Sequence, residues 1–438
     1  MDFRPLTVVV GPNNSGKTSF HKPLLLLKQT LQADDSTAGL VTRGELASVG
    51  GYADLVFRHR SPLTLGLSIR FGEHGNERQS RGQDPPAWVE LQFRPDAAQR
   101  VRLERYEVYD AHGRLLLSRG FAGDRYSIRV LATPFSLRES GADAGRTAYL
   151  RRVENAIRDQ RPAGFTFPTA SLVGALFTEP GERRASRFPE AAMRYLAIVN
   201  EANQGLERVL ASLSYVGPLR EAFDRFYQPL GHVPAEVGVT GRQAPDIIIA
   251  RHREAEFQTW LTKWLWEFGF RGGFSVSDAT SGVHRIEVRA TEKGTPVNIA
   301  DSGFGLSQVL PFIVHGIHAA PGSLLLAEQP EIHLNPKLQI KLADLFGAMV
   351  KRGRNILVET HSEHFVSRLR YLVATRRLAP TDVSVLYVEK RGWQSTVREV
   401  KVEDDGSIAE GVWPAGFFDE AVSEAVSLMR AQVEAHAR

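Results

Sequence analysis

Gly11-Pro12-Asn13-Asn14-Ser15-Gly16-Lys17-Thr18 fits the pattern G-x-x-x-x-G-K-[ST] at every defined position, and its reading decides the fold. Leu6-Thr7-Val8-Val9-Val10, just before it, is apolar and β-branched, as a buried parallel strand should be. The stretch Lys17 to Leu31 reads as a helix. Strand, glycine loop and helix in this order form a cradle for phosphate. Gly11 and Gly16 permit a tight turn, so the loop from Pro12 to Ser19 brings successive backbone N–H groups, from Asn13 on, and the helix N-terminus onto a β-phosphate. Lys17 reaches the β- and γ-phosphates, and the Thr18 hydroxyl holds magnesium. A nucleotide with Mg2+ is the expected ligand.

Composition narrows the class around that loop. The 438 residues suffice for two or three domains, and 42% hydrophobic with 24% charged residues is ordinary globular composition. A net charge of +4 leaves contact with DNA or RNA open without demanding it. The absence of cysteine excludes a disulfide framework, a thiolate zinc site and a cysteine nucleophile. Met1-Asp2-Phe3-Arg4-Pro5 shows no apolar secretory segment, and no run approaches a membrane span of about 20 apolar residues. A cytoplasmic protein with no membrane partner is expected.

After a glycine-punctuated connection from Gly44 to His59, short alternating runs at Leu63–Ile69, Trp88–Phe93, Val101–Tyr109 and Arg114–Leu117 predict an antiparallel sheet. The polar stretch Gly72 to Pro86 reads as a surface loop. Helical spacing recurs over Ala148–Arg161, Pro189–Leu213 and Glu254–Phe268. Arg151, Arg152, Arg158 and Arg161, with Glu182 to Arg187, form either a solvated face or a basic contact surface. Trp260, Trp264 and Trp266 read as packing rather than as a base-stacking platform.

Chemistry returns in the C-terminal half. Asp301-Ser302-Gly303-Phe304-Gly305-Leu306-Ser307-Gln308 opens a helix-like run to His318, and the strand Leu324-Leu325-Leu326 ends in Ala327-Glu328-Gln329-Pro330-Glu331. A carboxylate at that strand end orients magnesium beside the phosphate loop. A second buried strand, Asn355-Ile356-Leu357-Val358, ends at Glu359-Thr360-His361-Ser362, a polar tip placed to sense a γ-phosphate. His361, Glu363 and His364 with Glu359 match no zinc-protease spacing.

These motifs together resemble the ABC-type ATPases of the RecF, SMC and OLD group. The likeness rests on residues 11–18, the signature-like Ser302-Gly303-Phe304-Gly305, a Walker B strand at 324–328, the turn Glu331-Ile332-His333-Leu334-Asn335-Pro336 and His361. More narrowly, Tyr215-Val216-Gly217-Pro218-Leu219-Arg220-Glu221, Gly303 to Pro311, Glu328 to Leu334 and Trp413-Pro414-Ala415-Gly416-Phe417-Phe418 resemble stand-alone prokaryotic AAA-family ATPases with a short C-terminal domain of unknown function. The resemblance implies an α/β P-loop NTPase of the ABC-ATPase type: a mixed sheet core, an antiparallel β-lobe and a helical insertion. It divides the chain into an N-terminal ATPase lobe (1–140), a helical insertion (141–270), a C-terminal ATPase lobe (271–380) and short C-terminal strands and a helix (381–438).

It also implies an ATP-sandwiched homodimer, in which Ser302, Gly303 and Gly305 of one copy cover the γ-phosphate held by the other. Glu328 would support magnesium through water, and His361 would read the γ-phosphate. Where ABC ATPases place a catalytic glutamate, this chain has Gln329, an amide that orients water but cannot take its proton. Glu331 is either a substitute base or an outward turn residue. Only 77 residues follow His361, too few for the nuclease domain of the OLD enzymes, so a nuclease activity would come from a separate effector protein. DNA maintenance and anti-phage defence are the processes the likeness suggests. A non-hydrolysing ATP-dependent scaffold is the alternative, and a small-molecule kinase is disfavoured by the signature at Ser302.

Overall fold

The computed structural model describes residues 3–33, 38–59, 63–71, 85–122, 125–131, 133–138, 142–170, 172–173, 189–228, 230–280, 282–408, 427–429 and 432. Most of the 72–86 loop, the 182–187 charge run, the Trp413–Phe418 motif and most of the expected final helix lie outside them. Within the described chain, two compact units form: residues 1–20 with 212–438, and residues 21–211.

Strand β1 (Leu6–Val10) is buried at every position, as its β-branched sequence requires. After the glycine loop, a 3-10 turn covers Lys17–Phe20, and helix α1 (Lys22–Gln32) begins only after His21. The continuous helix expected from Lys17 is therefore broken. Pro23 is the reason: inside a helix its ring would clash with the carbonyl of residue 19, so it occupies the first turn of a new one.

Residues 21–211 hold the antiparallel sheet. Strands β2 (Leu65–Arg70), β3 (Pro86–Pro95), β4 (Val101–Asp110), β5 (Leu115–Ala122), β6 (Arg125–Val130) and β7 (Thr133–Pro134) lie in sequence order, each antiparallel to the next. Helices α2 (Ala144–Asp159) and α3 (Glu190–Ala211) share one core with this sheet. A buried polar knot ties them: Arg119 on β5 donates to the Gln160 carbonyl at 2.9 Å and to Tyr195 on α3, with its guanidinium 4.1 Å from the Phe167 ring centre.

The other unit closes around β1. Strand β8 (Leu213–Val216) is followed by α4 (Ala244–Arg251), α5 (Ala255–Glu267) and a small sheet of β9 (Phe274–Thr280), β10 (Val283–Val288) and β11 (Val297–Asn298). Then come α6 (Phe304–His318), β12 (Leu324–Glu328), α7 (Pro336–Lys351), β13 (Asn355–Glu359), α8 (Glu363–Ala374), β14 (Val383–Arg391) and β15 (Gln394–Val400). The central sheet runs β15-β14-β1-β13-β12-β8, parallel except at the β15 edge. Phe312 on α6, Phe346 on α7 and Phe365 on α8 stack edge to face at 5.4 and 5.6 Å, locking the helices together. Trp260 and Trp264 are buried in this core, Trp260 donating to the Ile313 carbonyl at 2.8 Å, while Trp266 is exposed. Parallel pairing puts the C-terminal ends of β1, β12 and β13 on one edge, where α/β sheets bind ligands.

Helix α6 buries a histidine at almost no exposure. His315 has no partner for Nε2 among the described residues, and burial pushes its pKa down to about 3. The unfolded chain binds that proton near pH 6.5, so the folded state loses stability as the pH falls below about 6.5 and keeps losing it until about 3. His318 and His361 are also held low by burial and act in the same direction. Chemical denaturation at pH 7.5 and 5.5 should show His315→Leu losing less stability than the parent chain, by about 1 kcal/mol per pH unit below 6.5.

Candidate nucleotide site

Gly11 and Gly16 adopt φ of 150° and 99°, and Asn14 the left-handed φ of 59°. A Cβ on Gly11 would lie 2.1 Å from the Val388 carbonyl of β14, so only glycine lets the loop leave the sheet here. Pro12, Asn13, Asn14 and Ser19 are exposed, Gly16 and Thr18 half-buried, and Ser15 and Lys17 buried. The Lys17 ammonium donates to the Gly11 and Pro12 carbonyls at 3.0 and 2.9 Å. Burial holds its pKa below that of an ordinary lysine, while the Glu359 and Glu331 carboxylates pull it back up.

The acids arrive from neighbouring strands. Glu328 ends β12 and pairs in register with Glu359 at the end of β13. The Thr18 hydroxyl donates to Glu359 Oε1 at 3.4 Å, and Tyr215 on β8 donates to Glu328 Oε2 at 2.7 Å. Burial and the adjacent Glu328 charge push the Glu359 carboxyl above the usual range.

Gln329 takes a left-handed φ of 43°, a strained conformation for a residue with a side chain. Its N–H donates to the Glu359 carbonyl at 2.8 Å. Arg220 donates to the Glu328 and Gln329 carbonyls at 3.2 and 3.3 Å and to the Gln308 side chain of α6 at 3.0 Å, its guanidinium lying over the Phe312 ring. Burial brings the Arg220 pKa down to about 10. Glu331 turns inward: its Oε1 accepts from the His361 backbone N–H at 2.6 Å, and burial pushes its carboxyl up. His361 is half-buried, its pKa lowered by burial and by the Lys17 charge. The structure thus gathers Lys17, Thr18, Glu328, Gln329, Glu331, Glu359 and His361.

The signature-like residues share no hydrogen bond or ion pair with that cluster among the described residues. Ser302 donates to the Ile299 carbonyl at 2.7 Å, and its neighbour Asp301 is gripped by both nitrogens of Arg225 at 2.8 and 2.7 Å. Gly303 has φ of 84°, and nothing lies within 4 Å of where a Cβ would sit on Gly303 or Gly305. No hydrogen bond or ion pair among the described residues joins 302–305 to 11–19. Among the same residues no group of three or more His, Asp or Glu could hold a metal, and no helix is long and apolar enough to cross a membrane.

Arg220, Tyr215 and Gln308 fall inside motifs quoted from the sequence, yet no pattern assigned them a task. Their partners are 88 to 113 residues away, and only the strand order brings them together.

Comparison with known proteins bears out the resemblance. Residues 252–366 match the family described as AAA ATPase domain, and residues 378–428 match a protein of unknown function, DUF3696. The second segment supplies β14, the immediate partner of β1, so it completes the nucleotide sheet. No curated protein matches. Solved structures similar to this chain include the SMC head domain of Thermotoga maritima (10% identity, 92% of this chain and 93% of that one, TM-score 0.33) and the Smc head with an extended coiled coil from Pyrococcus furiosus (12%, 98% and 94%, 0.35). The Smc head with a coiled coil and joint from Pyrococcus yayanosii is a third (13%, 92% and 94%, 0.39). The α/β P-loop fold of ABC-ATPase type stands on the strand order and loop geometry above.

Arg220→Met keeps the contact with Phe312 but strips three acceptors of their donor. It should lower stability by about 1–3 kcal/mol in urea denaturation while ATP affinity stays within a few-fold.

Proposed function

We propose that this chain binds ATP with magnesium at residues 11–19, closes around it with a second copy through Ser302, Gly303 and Gly305, and hydrolyses it to signal nucleotide state to a separate effector. The observation that carries the reading is the convergence of Lys17, Thr18, Glu328 and His361 on one edge of the sheet, beside a glycine loop whose first residue tolerates no Cβ. Lys17 exchanges the Gly11 and Pro12 carbonyls for phosphate oxygens. The donor set suits magnesium: the Thr18 hydroxyl and the two carboxylates are hard oxygen ligands, one of whose oxygens, Glu359 Oε2, is buried without a partner among the described residues. Bound there, magnesium would neutralise charge on the phosphates.

In hydrolysis a water oxygen bonds to the γ-phosphorus as the bond to the β–γ bridging oxygen breaks. The transition state is loose, so positioning and charge matter more than a strong base. Gln329 can orient that water, and His361 can donate to the γ-phosphate. Gln329 also favours a second reading, a scaffold that uses ATP to hold an assembly together with little turnover. The open space at Gly303 and Gly305 supports a partner-facing role for that turn. A nuclease as effector, DNA or RNA as a further ligand, a cytoplasmic setting and work in DNA maintenance or anti-phage defence complete the proposal. Steady-state phosphate release, with and without DNA, separates motor from scaffold.

Lys17→Ala should weaken ATP by about 100-fold, the loss of a charge-assisted contact of about 3 kcal/mol, while cooperative unfolding persists. Titration with labelled ATP checks it, and unchanged affinity rejects the phosphate-loop assignment. Ser302→Arg should leave ATP affinity unchanged and abolish ATP-dependent dimerisation in sedimentation. A mutant that dimerises normally removes residues 302–305 from the interface.

A further inference from the structure

Glu359 is the carboxylate the motif pattern leaves without a task. It is 3% exposed and closes β13 in register with Glu328 of β12. In a parallel ladder, paired residues project to the same face, so the two carboxylates stand side by side. One Glu359 oxygen accepts from Thr18, the residue whose hydroxyl belongs to the metal in a phosphate loop, and the other has no hydrogen-bond partner among the described residues.

A buried carboxylate beside another carboxylate costs several kcal/mol unless a cation answers it. Lys17 is the nearby ammonium, and it is already donating to the Gly11 and Pro12 carbonyls. In the ABC pattern, two acids follow one another at the end of a single strand. Here position 329 is an amide, and the second acid sits at the same level on the next strand over.

We propose that Glu359 is the second carboxylate of the magnesium site, acting with Glu328 and Thr18 to hold the ion or its waters and restoring the negative charge that Gln329 removes. The inference rests on the reading of residues 11–19 as an ATP site. Two carboxylates and one hydroxyl do not fill a magnesium shell, so phosphate oxygens and water must complete it, in keeping with the lack of a larger cluster of acids and histidines among the described residues.

The test titrates Mn2+ as a paramagnetic probe into the full chain with a non-hydrolysable ATP analogue, and measures binding of the analogue alone in EDTA. Glu359→Gln should bind the metal-free analogue as the parent does, or more tightly, yet lose about 10- to 100-fold in Mn2+ affinity for the nucleotide complex. Glu359→Asp keeps the charge but withdraws it by one methylene, and should fall between the two. Parent-like Mn2+ affinity in Glu359→Gln, with the analogue still bound, overturns the role of Glu359 and leaves the ATP site standing. Failure of the parent chain to bind the analogue at all overturns both.

Discussion

The pairing of Glu328 with Glu359 across β12 and β13 sets two carboxylates on one face of a buried sheet edge, within reach of the phosphate-loop hydroxyl of Thr18. Like charges so placed repel, and burial together with the Glu328 charge raises the cost of ionising Glu359. What holds them is the rest of the unit. Tyr215 satisfies one Glu328 oxygen, Lys17 supplies a positive charge, and the parallel ladder holds both residues in register on one face. The loop geometry follows from the same edge, because the Val388 carbonyl of β14 permits only glycine at position 11.

How much of this was legible follows from which interactions are local. The phosphate loop was readable because its glycines answer a backbone need that any sequence must meet in the same way. Strands β2 to β5, helices α2, α3 and α5, and the burial of Trp260 and Trp264 were readable from period alone, whereas β6 and β7 of the same sheet were not. The break at His21 was readable in principle, since Pro23 forbids the helix that was expected to continue. Glu359 was visible as a polar strand tip, yet its task was not, because no period states which strand lies beside which. β1 meets β13 across more than 340 residues of chain, and that placement alone brings Thr18 to Glu359. Helices α2 and α3 read as an insertion of their own, whereas their apolar faces complete the core of the antiparallel sheet and anchor on a buried arginine, Arg119, that no pattern marks.

Glu331 shows why residue type and spacing underdetermine a role. As a carboxylate two residues beyond Gln329 it is a natural candidate to replace the missing glutamate. In the fold its Oε1 is committed to the His361 backbone N–H at 2.6 Å. A carboxylate so engaged fixes the position of the histidine segment at the phosphate loop. Its other oxygen, Oε2, is buried without a hydrogen-bond partner among the described residues, so one carboxylate anchors the histidine segment through one oxygen and keeps the second open.

Arg220 carries the remaining step. Its guanidinium reaches the Gln308 side chain four residues into α6 and, from the other nitrogen, the carbonyls of Glu328 and Gln329. α6 begins at the signature-like turn, and Glu328–Gln329 is where the acids face the loop. Gln329 sits in a left-handed conformation that costs about 1–3 kcal/mol, and the Arg220 contact is part of what offsets it. A shift of α6 along its axis would lengthen the bond to Gln308 first. The arginine would then either follow the helix, releasing Gln329 toward a relaxed backbone, or stay and leave the Gln308 side-chain oxygen without its donor. The position of the signature helix and the backbone of residue 329 are thus coupled through one side chain, with no hydrogen bond or ion pair among the described residues joining the signature turn to the phosphate loop.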